Sequence, residues 1–196
     1  MHDVDRVEQR QGRRRAASMP VDERRAMLID VTLPLLVEQG EMVKTYDIAQ
    51  AAGVAEGTIF RVFATKDELI EAVIERVLDP EPTERAIAAL DTNGGLEATV
   101  IEVVKVLQRR GNEVWQLISS VGPRHRQRKA GPSFDSPALV GLLSAFRGQL
   151  SVDPVRAAGM LRSVAFAMTH PMMTSEPATP EQVARVFLYG VVKDRC

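Results

Sequence analysis

Residues 44–69, KTYDIAQAAGVAEGTIFRVFATKDEL, constrain the fold more than any other stretch of the 196-residue chain. They predict a helix, a tight turn and a second helix. Thr45 is a suitable N-cap, and Asp47 falls in the first turn, where the positive end of the helix dipole favours a carboxylate. Ile48, Ala49 and Ala52 share one face at helical spacing. Gly53 is the residue best able to take the left-handed conformation that stops a helix, and Val54 can plug the angle that follows. The second helix is expected over 55–63, burying Ile59 and Phe63 one turn apart. Small side chains at Ala49, Ala51, Ala52 and Ala55 would let the two helices cross closely. Thr65 and Glu68 then form a capping box that opens a further helix.

The order of these residues resembles the DNA-binding domain of the tetracycline-repressor-like (TetR/AcrR) transcription regulators. The residues that carry the resemblance are Thr45, Asp47, Ile48, Ala49, Ala52, Gly53, Val54, Gly57, Thr58, Phe63, Lys66, Glu68 and Leu69. The rest of the chain agrees with it only in length and helical texture. The resemblance implies an all-α protein: an N-terminal three-helix helix-turn-helix domain that docks residues 55–63 in the DNA major groove, and a helical regulatory and dimerisation domain. Thr45, Tyr46, Thr58 and Lys66 are then expected to contact the DNA backbone, positioning the protein without reading sequence, with Gly57 also at DNA. Arg61 is the candidate for a base edge, since arginine pairs well with guanine, and Phe60 for a thymine methyl or a sugar.

This chain also departs from the pattern. Ala55 replaces the usual capping serine. Glu56 stands where the family often has lysine or arginine, and it would repel phosphate. Ile59, Phe60, Arg61 and Val62 replace the commoner Leu-Tyr-His-Tyr, so the phenolic contact is lost and no operator sequence carries over.

Charge is distributed locally. The net charge is −1 and the isoelectric point about 6.3, so a whole-chain basic excess is missing. Arg10, Arg13, Arg14 and Arg15 instead form an arm in residues 1–20, expected to be disordered. It either neutralises phosphates or enters the minor groove, or serves only as a solubilising tail. Helices are expected at 21–39 (closed by Gly40, with a kink or break at Pro34 and a stripe of Ala26, Met27, Val31, Leu35 and Leu36) and at 66–78. Pro80 and Pro82 mark the boundary between a reader, 21–79, and a regulatory domain, 80–196. Further helices are expected over 83–90, 96–110, 112–121, 136–150, 154–170 and 180–193. Residues 122–135 read as a basic loop, either a second anion patch or a solvated surface.

No catalytic or metal centre is legible. His2, His125 and His170 are scattered, and the single cysteine, Cys196, excludes an internal disulfide. No cofactor is expected. The charged N-terminus argues against a signal peptide, and no apolar run approaches the ~20 residues of a membrane helix. A cytoplasmic protein is therefore expected.

Trp115, Phe134, Phe146, Met160, Phe166 and Met168 are the candidate lining of a pocket for a small apolar effector, because methionine and aromatic side chains adapt to such ligands. The apolar surface of 154–170 and 180–193, including Val186 and Phe187, is broader than one packed face requires. The resemblance implies that these two helices form a four-helix homodimer interface. The resulting expectation is a repressor, homodimeric on a palindromic operator and released by an apolar effector. Two alternatives stand beside it: control by a partner protein without an effector, and a helical enzyme.

Overall fold

The computed structural model describes residues 19–122, 125 and 136–191, which form helices joined by short turns, with no strand among them. The basic arm at 10–15 and most of the 122–135 segment, Phe134 included, lie outside the described residues, as does the end of the last expected helix.

α1 (Val21–Gln39) runs unbroken through Pro34, which faces solvent. Its fully covered residues are Leu28, Ile29, Thr32 and Leu36, while Met27, Val31 and Leu35 are only half-buried. The buried stripe is thus rotated from the expected one, because α1 is covered on several sides by the helices that follow. Thr32 stays satisfied by donating its hydroxyl to the Leu28 carbonyl at 2.6 Å. A 3-10 turn, Gly40–Met42, leads to α2 (Thr45–Ala52) and α3 (Glu56–Ile59). α4 (Lys66–Leu78) buries Leu69, Ile70, Val73, Ile74 and Val77 against α1.

α5 (Glu81–Ala88) carries Pro82 in its first turn, where a missing N–H costs nothing. α6 spans Gly95–Ser120 as one helix of 26 residues, where two had been expected. Gly111 does not interrupt it. A glycine in a helix interior costs roughly 1 kcal/mol, too little to break a helix packed along both ends. α7 (Pro137–Ser144), capped by the Ser136 hydroxyl, is shorter than expected and gives way to a 3-10 turn, Arg147–Gln149. α8 (Pro154–Thr169) is capped by Asp153, and α9 covers Pro180–Val191.

Two apolar cores follow. One joins Ile87 of α5 with the first half of α6 and with α7, α8 and α9, and includes Phe146, Leu161, Val183 and Phe187. The other gathers α1 to α4, and it also takes Leu117 and Val121 from the far end of α6. α6 contributes residues to both cores.

Candidate nucleic-acid interface

Three local devices hold the helix-turn-helix. Gly53 has φ 65° and ψ 30°, the left-handed cap, and the Val54 N–H closes the turn on the Ala49 carbonyl at 3.0 Å. Ile48, Ile59 and Phe63 are fully buried below it. The Arg25 guanidinium lies 4.3 Å from the centre of the Phe63 ring and 3.9 Å from the Glu68 carboxylate, tying α1 to both. At α4 the Thr65 hydroxyl accepts from the Glu68 N–H at 3.1 Å, as a capping box requires. Glu68 reaches back one residue further than the ideal motif and accepts from the Ala64 N–H at 2.7 Å.

The turn between α2 and α3 differs from expectation in three ways. Thr45 is not the N-cap; that position is Lys44, and Thr45 begins the helix. Its hydroxyl donates instead to the Glu56 carboxylate. Ala51 and Ala55 are exposed, so the close crossing rests on Ala49 with Ala52 half-buried. Finally, α3 ends at Ile59, and residues 60–62 continue as turns: the Val62 N–H donates to the Ile59 carbonyl at 2.9 Å and the Arg61 N–H to Thr58 at 3.3 Å. Burying Ile59 and Phe63 four residues apart is met by a short helix and a tightened turn as well as by two full turns.

Of the residues expected at DNA, Tyr46, Gly57, Phe60 and Arg61 are exposed and Thr45 and Thr58 half-buried. The Tyr46 phenol accepts from the Gln50 side-chain amide at 2.7 Å, which leaves its own proton to donate outward. A Cβ at Gly57 would meet nothing within 4 Å, so internal packing does not require glycine there. Lys66 is placed differently. Its ammonium donates to the Glu41 carbonyl at 2.7 Å and the Val43 carbonyl at 3.0 Å, pinning the segment between α1 and α2.

The last turn of α1 and that segment are also contacted by the end of α6 and the residues after it. The Ser120 hydroxyl donates to the Val37 carbonyl at 3.0 Å. The Glu41 carboxylate lies 3.5 Å from the ring Nε2 of His125, whose side chain is buried, and leaves no room for a Cβ at Gly122. Further along, the Arg110 guanidinium donates to the Asp79 carbonyl at 2.9 Å. Burial pushes the Arg110 pKa below the ordinary arginine value, against the opposing pull of Glu113 and Asp79.

The residues expected around an effector occupy several places. Phe146 is part of the closed core, and Met160 packs against it. Trp115 and Phe166 meet at His170, whose ring centre is 4.8 Å from Trp115 and 4.3 Å from Phe166. Met168 lines an open groove of about 590 Å³ together with Pro177, Ala178, Gln182, Arg185 and Val186. On α9, Phe187 is a core residue at 2% exposure, whereas its neighbour Val186 is 51% exposed. Among the described residues no three His, Cys, Asp or Glu side chains gather as metal ligands, and no helix is long and apolar enough to cross a membrane.

A helix-turn-helix reader mounted on an all-helical body defines a class of regulatory protein. Residues 28–73 match the model of the bacterial regulatory proteins of the tetR family, and over that stretch the chain is similar to members of that family. It is 42% identical over 59 residues to the nucleoid occlusion factor SlmA of Haemophilus ducreyi, a stretch that is 29% of either chain. With a helix-turn-helix transcriptional repressor of Mycobacterium tuberculosis it shares 32% identity over 116 residues, 53% of this chain and 62% of that one. The match thus spans less than two thirds of the length of either relative. The fold extends further. NalD of Pseudomonas aeruginosa, the secondary repressor of a multidrug efflux pump, superimposes with a TM-score of 0.55 at 17% identity, over 90% of this chain and all of NalD. SmeT, an efflux-pump repressor of Stenotrophomonas maltophilia, gives 0.53 at 22% identity, over 87% and 91%.

Proposed function

We propose that this protein is a cytoplasmic, sequence-specific DNA-binding transcription regulator that represses from a palindromic operator. The observation that carries the reading is the exposure of Tyr46, Gly57, Phe60 and Arg61 in a helix-turn-helix whose Ile48, Ile59 and Phe63 are fully buried. Arg61 offers a guanidinium to a guanine edge. Tyr46 donates its phenolic proton to phosphate, and the N–H of Thr45, in the first turn of α2, lies where helix N–H groups lack an intrahelical partner. Gly57 leaves room for a close approach of the duplex to the backbone. Lys66 adds positive charge behind this face while it braces the 40–43 segment.

One reader covers only a few base pairs, so affinity calls for two, related by a two-fold axis. The exposed apolar side chains Val155 and Phe166 on α8 and Val186 and Tyr189 on α9 support dimerisation through those helices. The test is light scattering on the wild type and on Val186→Asp, with operator binding measured on both.

Residues 80–191 serve as the regulatory half in this reading. An apolar effector is supported by the likeness to SmeT, which has also been solved in complex with triclosan. Control by a protein partner is the second reading, and the dispersal of Trp115, Phe146 and Met168 to separate places favours it. Trp115 fluorescence under a panel of apolar compounds separates the two. An effector that weakens operator binding must itself be weakened by operator to the same factor, since the coupling is reciprocal.

A further inference from the structure

Glu56 is the residue whose placement the docking above does not absorb. It is exposed at the start of α3, as are Tyr46 on α2, Gly57 beside it and Arg61 just beyond the helix. Among the described residues no cation lies within ion-pair distance of it. Its Oε1 accepts the hydroxyl proton of Thr45, which fixes the carboxylate between the first turns of α2 and α3. A threonine hydroxyl has one proton, so Thr45 cannot give the same proton to a phosphate.

A carboxylate brought to DNA accepts hydrogen bonds only, and phosphate supplies none. The donors a duplex offers in the major groove are the exocyclic amines of cytosine and adenine. Cytosine presents N4–H2 alone on that edge, whereas adenine sets an acceptor, N7, beside its amine, which repels an anion. We propose that Glu56 is a specificity-determining residue that accepts from the N4 amine of a cytosine in each half-site, with Thr45 as its positioning residue. The proposal rests on the DNA-binding reading above. Oε2 is the oxygen available to the base. The Thr45 bond removes rotamer freedom that the glutamate would otherwise lose on binding. An acidic side chain that repels phosphate also raises the cost of every site lacking that cytosine, a repulsive contribution to specificity.

The test is selection of duplexes from a random pool by the full chain and by E56Q, E56A and T45A. Affinities for the resulting sites are then measured at several salt concentrations. The wild type is expected to select a site with an invariant cytosine in each half. E56A should lose the preference at that one position, on the order of tenfold, while keeping the rest of the site. E56Q keeps an oxygen for Thr45 and should move the preference towards adenine, which pairs with glutamine through N6 and N7. T45A should blunt the cytosine preference without abolishing it. If E56A binds every sequence more tightly by one factor and selects an unchanged site, Glu56 only repels phosphate and the proposal fails. If E56A melts lower but selects the wild-type site, Glu56 only joins α2 to α3, and the proposal fails again while DNA binding stands. A wild type that enriches no sequence overturns this inference together with the reading beneath it.

Discussion

Gly40 lies so close to Ser120 that a Cβ on it would stand 2.8 Å from the Ser120 carbonyl oxygen. Gly40 also has φ 61°, a conformation that side chains disfavour. The contact sets the end of α6 directly on the turn that feeds the helix-turn-helix. Lys66 ties residues 41–43 of that turn to the start of α4.

Three glycines should respond differently to alanine. Gly40→Ala meets both a strained φ and a fixed carbonyl, and should cost roughly 1–3 kcal/mol. Gly53→Ala has the strain but open space around it, and should cost about 1–2 kcal/mol. Gly111→Ala, with ordinary helical backbone and nothing within 4 Å, should stabilise by roughly 0.5–1 kcal/mol. Thermal unfolding of the three variants checks the order.

Lys66→Ala should lower stability as well as DNA affinity. It leaves the Glu41 and Val43 carbonyls without their ammonium donor, a loss of roughly 1–3 kcal/mol for a charged partner. Arg61→Ala removes an exposed side chain and should leave the melting temperature within about a degree or two, given that surface changes fall within ~0.5 kcal/mol. Denaturant titration of both variants separates the bracing role from the docking role.

The neighbours Val186 and Phe187 should behave oppositely under the same substitution. Phe187→Asp places a charge in the regulatory core and should unfold that half, since even truncation of a buried Phe costs about 3–5 kcal/mol. Val186→Asp should leave the circular dichroism spectrum unchanged and yield monomers. Monomeric wild-type protein at micromolar concentration would remove the dimer from the account.

Much of the reader was legible because its signals are local. Gly53 as a left-handed cap and Thr65 with Glu68 as a capping box act within a few residues, and Ile59 and Phe63 are buried as their spacing suggested. What escaped depends on contacts distant in sequence. The single α6 survives Gly111 because both of its ends are packed, one in each core. Lys66 meets carbonyls 23 and 25 residues upstream, and the bond from Thr45 to Glu56 spans 11 residues across a turn. A pattern of apolar spacing carries no information on such polar closures. The broad apolar surface of α9 also hid which residue faces inward: Phe187 does, and Val186 does not.

Operator binding by Arg61→Ala measures the central claim most directly. A site is first selected from random duplexes with the wild type, and fluorescence anisotropy is then run on that site and on single-base variants. The account predicts a two-fold symmetric site and a loss of roughly 1–3 kcal/mol on Arg61→Ala, confined to one base position in each half. Equal affinity of wild type and variant for the selected site, with both proteins folded, would contradict it.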